Sequence, residues 1–207
     1  MQIVHLFPKA VGVFNLNRKL TKKELININI NLDSLEKNEL NSISKNKFVL
    51  DNPDLSKLKQ FINESIKKYL SEVLEENTDL KITQSWLNKT LNGEGHHIHC
   101  HPNSYLSGVF YVQTNDDDKI TFYKNDPRDH YYKPSVNNWN LVNSKSWWLP
   151  TPQNSLIIFR SDLHHSVPQT VNHERISLSF NTFPADDLGD EQSATYLPLS
   201  NYVAYTA

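Results

Sequence analysis

The sequence holds a single cysteine, Cys100, in 207 residues, which excludes an internal disulfide framework and fits a reducing cytosol. Nor is there an excess of charge of either sign. With 21 Lys and Arg against 23 Asp and Glu, the net charge is -2 and the pI is near 6.5, so neither nucleic acid nor an anionic membrane is expected as a partner. No apolar run approaches membrane-spanning length, and Met1 is not followed by a basic region and a long apolar core. The expectation is therefore a cytoplasmic protein without a membrane span or signal peptide. The length suits a single domain able to bury a real core.

What the sequence does have is histidine, concentrated in His97-Ile98-His99-Cys100-His101-Pro102. In an extended strand, residues i, i+2 and i+4 share a face, so His97, His99 and His101 would project together while Cys100 alternates away as a packed thiol. Neutral imidazole is a ligand for iron, copper, nickel and zinc, and two such residues on one strand can occupy adjacent coordination positions. A further ligand must come from elsewhere. Leu163-His164-His165-Ser166-Val167-Pro168 supplies it; His164 and His165 are neighbours and face opposite ways, so only one can enter a pocket. Ten residues after His165, Arg175 opens Arg175-Ile176-Ser177-Leu178-Ser179-Phe180-Asn181, a strict alternation with Arg175, Ser177, Ser179 and Asn181 on one face. A cation inside a sheet is costly unless paired. The economical partner is an anionic ligand.

This order, a His-x-His pair, a distant histidine and an arginine ten residues later, resembles the iron(II)- and 2-oxoglutarate-dependent oxygenases. Tyr105-Leu106-Ser107-Gly108-Val109-Phe110-Tyr111-Val112 is similar to the strand that follows the metal-binding pair in the prolyl-hydroxylase-like branch. Trp86 to Phe183 reads most like a small microbial and phage-encoded group with a His-x-His-Pro motif, which would place a phage-encoded protein in the host cytoplasm. The resemblance implies iron(II) held by His99, His101 and His165, with His165 rather than His164 selected by the family's register. It also implies that Arg175, helped by Ser177 and Tyr111, binds the far carboxylate of 2-oxoglutarate, with Asn88 a further contact or else a strand-pairing residue.

One position departs from the family pattern. His101 stands where most of these enzymes carry aspartate or glutamate, which leaves the site one unit more positive and favours a dianionic cosubstrate. Glu94, Asp126 or Asp129 could supply a carboxylate from a neighbouring loop, and His97 with His99 could be the pair instead. The leading reading is a hydroxylase that converts 2-oxoglutarate to succinate and carbon dioxide. The alternatives are a three-histidine dioxygenase that uses no oxoacid and a non-catalytic, metal-stabilised binding protein.

In chain order, residues 1–79 read as an N-terminal supporting region and residues 80–207 as the core that carries the metal site. Ile3 to Leu16 predicts one or two strands, with His5 at the surface, and Thr21 to Leu50 a loose helix or loop. Asn52-Pro53 marks a helix start. Leu55, Leu58, Phe61, Ile62, Ile66, Tyr69, Leu70, Val73 and Leu74 continue as one apolar stripe that would cover the outer face of a sheet before the polar residues around Asn77 end it. Strands follow from Leu80 to Thr90, where Trp86, Asn88 and Thr90 share a face, and from Ile120 to Tyr123. Asn115 to Lys119 reads as a solvated acidic hairpin tip.

Lys124 to Ser146 is a long aromatic loop with Tyr131, Tyr132 and Trp139 as candidate substrate contacts. Trp147 to Pro150 and Ser155 to Phe159 read as buried strands, the first edge-like because of its proline. His130, His164 and His173 are expected to be satisfied at the surface or behind the site, and Tyr196 to Tyr205 to form a final strand. Many short strands after one long helix predict an α+β chain, mainly β with N-terminal helices, folded as a double-stranded β-helix of the jelly-roll, cupin-like kind.

Overall fold

In the computed structural model, which describes residues 1–4, 6–124 and 135–199, two antiparallel sheets face each other and two helices cover the outside of the larger. The strands are β1 (Val11–Asn15), β2 (Leu35–Lys37), β3 (Ser42–Ser44), β4 (Leu80–Thr90), β5 (His96–His99), β6 (Leu106–Gln113), β7 (Lys119–Tyr123), β8 (Ser146–Pro150), β9 (Ser155–Arg160), β10 (His165–Val167) and β11 (Arg175–Pro184). The larger sheet runs β1-β9-β6-β11-β4-β3-β2 and the smaller β5-β10-β7-β8. From β4 onward the chain deals its strands between the two sheets, four to each, which is the double-stranded β-helix predicted from the sequence.

Alternation within the large-sheet strands decides what each layer contains. Leu87 of β4, Phe110 of β6, Leu156 and Ile158 of β9 and Ile176, Leu178 and Phe180 of β11 turn outward. They meet Leu58, Ile62, Ile66 and Tyr69 of a helix at Ser56–Tyr69. The residues between them, Tyr111, Ile157 and Phe159, turn inward against Ile120 and Phe122 of β7. The helix stripe therefore covers a sheet, as its periodicity predicts. Asn52 caps the turn at Pro53–Leu55 through the backbone N–H of Asp54. The helix ends in a wider turn at Leu70–Leu74 that closes on Glu75 in the left-handed conformation, short of the stop expected at Asn77.

The N-terminal third is more ordered than the expected loose helix or loop. Thr21 and Glu24 form a reciprocal capping box at the start of the helix Lys22–Leu32, while Arg18 donates twice to buried Glu24, at 2.7 Å each. β2 and β3 then extend the large sheet beyond β4. Among the described residues of the segment Ile3 to Leu16 only β1 forms; Val4 and Leu6 are exposed and outside any strand.

β8 is an edge strand as expected but not a buried one, because Trp147 and Trp148 stand in solvent. Tyr196 and Leu197 form no strand; Leu197 makes an isolated bridge to Leu188. His5, Asp126, Asp129, His130, Tyr131, Tyr132 and Tyr205 lie outside the described residues, and Trp139 is exposed. Among the described residues no helix is long and apolar enough to cross a membrane.

Candidate functional site

A cavity opens between the sheets, lined by Trp86, Asn88 and Thr90 from β4, Tyr111 from β6, Arg175, Ser177 and Ser179 from β11, and four histidines: His96, His99, His101 and His165. Arg175, Ser177, Tyr111 and Asn88, all predicted from the sequence, thus share one chamber with the predicted metal ligands. Asn88 donates to Ser179 Oγ at 2.9 Å across the β4–β11 pair. Trp86 stands beside His101, with ring centroids 6.2 Å apart, and four residues further along the same strand Thr90 is paired with Arg175. His101 and the guanidinium therefore lie level with different positions along β4.

His99, His101 and His165 each offer a ring nitrogen within 4.8 Å of the others. β10 lies between β5 and β7, which brings His165 opposite both His99 and Phe122. His101 follows the end of β5 and is held by its backbone N–H on the Ser161 carbonyl at 3.0 Å. The Nδ1 of His165 meets the Leu163 carbonyl at 3.0 Å and that of His99 the His97 carbonyl at 2.9 Å. With Nδ1–H donating in each, the two Nε2 atoms keep their lone pairs for a ligand.

Burial, followed by the nearby His99, holds His101 down to about 4 and His165 to about 3. Burial also lowers His99. All three are neutral at pH 7, the form that binds a metal. The donor set fits a divalent transition metal of the imidazole-binding class, iron(II) included.

Two readings of the histidine strand are corrected. β5 carries a bulge, since His165 pairs with His99 and Val167 with His96, two steps on one strand against three on the other. The extra residue breaks the alternation. His97 is thereby put out of the cavity, with Nδ1 3.1 Å from a Glu39 carboxylate oxygen, and His96, which the period-two pattern passes over, is put in. The His96 ring lies 4.2 Å from that of His99, and burial pushes it down to about 4. The signal was present as four histidines in the six residues 96–101, but a bulge has no mark in a strand pattern. His96, His97 and His99 form a second close trio. It shares His99, whose one free nitrogen can serve one ion, so the two trios are alternatives.

Glu94 brings no carboxylate to the three histidines. It accepts from Lys37 at 2.6 Å and from the backbone N–H of Leu91 at 2.9 Å. Both close histidine trios lack a carboxylate and a thiol.

The larger correction concerns Arg175 and the supposed solvated turn. Asp118 is buried beneath its hairpin, and its Oδ1 accepts from Arg175 Nη1 at 2.9 Å; the two residues are 5% and 4% exposed. Asp118 Oδ2 accepts from the Asn115 backbone and faces His173 Nε2 at 2.8 Å. The cation inside the sheet is thus partnered by a side chain of the protein itself. Beside it the Tyr111 hydroxyl is buried with no hydrogen-bond partner among the described residues, and burial pushes it well above the ordinary phenol range. An orphaned donor next to an arginine is what a carboxylate ligand would satisfy.

Residues 84–181 match the family described as "Putative 2OG-Fe(II) oxygenase". No curated protein matches the sequence. Among solved structures, an oxidoreductase of the 2OG-Fe(II) oxygenase family from Burkholderia pseudomallei is similar with a TM-score of 0.56 at 12% identity, over 83% of this chain and 84% of that one. HygX from Streptomyces hygroscopicus, solved with nickel, 2-oxoglutarate and hygromycin B bound, has a TM-score of 0.56 at 10% identity over 86% and 84%. A prolyl-4-hydroxylase from Pseudomonas putida has a TM-score of 0.53 at 11% identity over 84% and 92%. These structures share the fold, and the sequence match spans every predicted site residue. Residues 84–181 thus carry a sequence likeness to the 2OG-Fe(II) oxygenases, and the chain shares the fold of solved members of that family.

Proposed function

We propose that this oxygenase holds iron(II) through His99, His101 and His165 and receives the far carboxylate of 2-oxoglutarate at Arg175, Ser177 and Tyr111, in order to hydroxylate a C–H bond of a second substrate. The observation that carries the reading is one cavity with two kinds of fitting: three neutral histidines whose nitrogens converge, and a buried guanidinium beside an unsatisfied hydroxyl. Iron(II) with 2-oxoglutarate and oxygen supplies, when bound, insertion of one oxygen atom into a C–H bond while the other enters the succinate formed with carbon dioxide. The protein's own residues bind, orient and exclude water. Leu163 and the His97 carbonyl fix the tautomers of His165 and His99. Arg175 offers a carboxylate a planar set of donors, and Tyr111 adds a hydrogen bond that it makes to no protein group. Phe122 and Phe159 pack against the His165 ring and keep that side dry. A cytoplasmic setting agrees with the single cysteine.

One observation favours a second reading. Arg175 is already paired with Asp118, and all three proposed ligands are imidazoles, a combination that suits a dioxygenase acting without an oxoacid. The iron(II)-loaded protein in aerated buffer separates the two. Succinate formed in step with 2-oxoglutarate loss, and abolished in His165→Ala, is the expected result; oxygen uptake indifferent to 2-oxoglutarate would establish the second reading instead.

A further inference from the structure

We propose that Asp118 and His173 are positioning residues for the cosubstrate. Asp118 fixes the Arg175 guanidinium, and the charge of His173 sets how much of the Asp118 charge Arg175 meets, so that 2-oxoglutarate binds more tightly when His173 is protonated. The inference rests on the reading that Arg175 receives the dianion.

The geometry is a three-member chain. Arg175 Nη1 donates to one carboxylate oxygen of Asp118 at 2.9 Å, and His173 Nε2 lies 2.8 Å from the other. The His173 Nδ1 faces the Val171 carbonyl at 2.8 Å. Both ring nitrogens thus face oxygen acceptors, and a neutral imidazole has one N–H to give. Only the imidazolium satisfies both. The Asn115 amide, 3.3 Å from Nδ1, serves the neutral form by donating to it once Nε2–H is committed to Asp118. The charged groups acting on His173 are Asp118, from the turn before β7, and Arg175, from β11. Glu174, adjacent in the chain, turns away to Lys89 of β4 at 3.1 Å and to Gln113 of β6.

The consequence is electrostatic. With His173 neutral, the Asp118 charge opposes that of Arg175 at the buried end of the cavity, and an entering dianion meets a site with little net charge. With His173 protonated, the three groups sum to one positive charge, within a region where screening by water is weak. Of the three groups His173 is the most open to protons from solvent, its side chain being 19% exposed while Arg175 and Asp118 are buried. The hydrogen bond to Asp118 also raises the His173 proton affinity above the ordinary histidine value.

The test is an anaerobic titration of the iron(II)-loaded protein with 2-oxoglutarate between about pH 6.0 and 8.0, read from the visible charge-transfer band of the ternary complex, in wild type, His173→Gln and Asp118→Asn. The expected wild-type dissociation constant rises several-fold as the pH rises. In His173→Gln it stays at the high-pH value throughout. In Asp118→Asn, which keeps an acceptor for Arg175 without the charge, binding is tighter than wild type at high pH and flat with pH. A flat wild-type profile, or an unchanged slope in His173→Gln, would overturn the proposal. Should Asp118→Asn not fold, the comparison with His173→Gln decides alone, as that side chain is partly exposed. Absence of the band at every pH would instead remove the 2-oxoglutarate reading on which the proposal stands.

Discussion

The Nε2 atoms of His101 and His165 lie 3.4 Å apart, close enough that one must donate to the other or both must share an ion. His165 has already committed its Nδ1–H to the Leu163 carbonyl, so its Nε2 carries a lone pair. An ion between the two rings replaces a single long hydrogen bond with two coordinate bonds. Removing either ring should therefore weaken iron(II) or cobalt(II) binding by at least about 10-fold to 100-fold, the loss typical when a residue that merely supports a ligand is removed. His97→Ala, outside the cavity, should leave it unchanged. Cobalt(II) absorption titrations of the three variants check this, and a loss in His97→Ala with binding retained in the other two would move the ion to His96, His97 and His99.

Metal binding to the folded form alone should also raise the unfolding temperature. At an ion concentration of about 100 times the dissociation constant the gain is roughly 2.7 kcal/mol, or about 5–10 °C for a chain of this size. Differential scanning calorimetry of wild type should show the shift, and His165→Ala should show none.

His101→Asp would restore the carboxylate usual at this position in the family. The variant should still bind iron(II) but with one positive charge fewer, so that 2-oxoglutarate binds more weakly by several-fold while the metal is retained. Paired metal and cosubstrate titrations give the answer; loss of the metal itself would show that the third imidazole is required.

Tyr111→Phe separates folding from binding. The buried hydroxyl has no partner among the described residues, and an unsatisfied group of this kind costs about 1–3 kcal/mol. The ligand-free variant should thus be as stable as wild type or up to that much more stable, and should bind 2-oxoglutarate more weakly by roughly 10-fold to 100-fold, one hydrogen bond to a charged group being worth about 1.5–3 kcal/mol. Urea denaturation and cosubstrate titration should move in opposite directions.

The metal-free protein should be sensitive to acid. Burial holds His96 and His101 to about 4 and His165 to about 3, against 6.5 when exposed. Their folded values lie below the unfolded one, so the folded form binds fewer protons between them. Stability is complete above pH 6.5, falls as the pH drops toward 4, and levels off once the folded rings titrate; together the groups contribute on the order of several kcal/mol. His173, raised by Asp118, has the opposite sign: its contribution is present below 6.5 and lost as the pH rises through its folded value. It is a single, more exposed group, so the acid loss should dominate a urea denaturation series from pH 8 to 4. A series flat over that range would mean that the rings are solvated.

Much of this architecture can be read from alternation. The strict pattern from Arg175 to Asn181 assigns each residue of β11 to the helix layer or to the cavity, and Gly108 in the Ser-Gly-Val stretch has a physical reason: a Cβ there would lie 2.3 Å from the Phe180 ring. The stripe from Leu55 to Tyr69 similarly identifies the covering helix. Alternation fails where the backbone inserts a residue, as between His96 and His99, because the bulge is set by pairing with β10 and not by local composition. Asp118 is hidden for a different reason. In sequence it is one of three consecutive aspartates in a turn, and only the arrival of Arg175 and His173 from 55 or more residues away makes it a buried partner. Long-range pairs of charges leave no periodic trace. The exposed Trp147 and Trp148 belong to the same class, since apolar residues on an edge strand look in sequence like those of a buried one.

The most direct test of the central claim is an anaerobic titration of the iron(II)-loaded protein with 2-oxoglutarate at pH 7, comparing wild type with Arg175→Ala. A weak visible charge-transfer band that saturates in wild type, and that requires at least 10-fold more cosubstrate in the variant, is the predicted result. Bound iron with no band at any 2-oxoglutarate concentration would contradict the account.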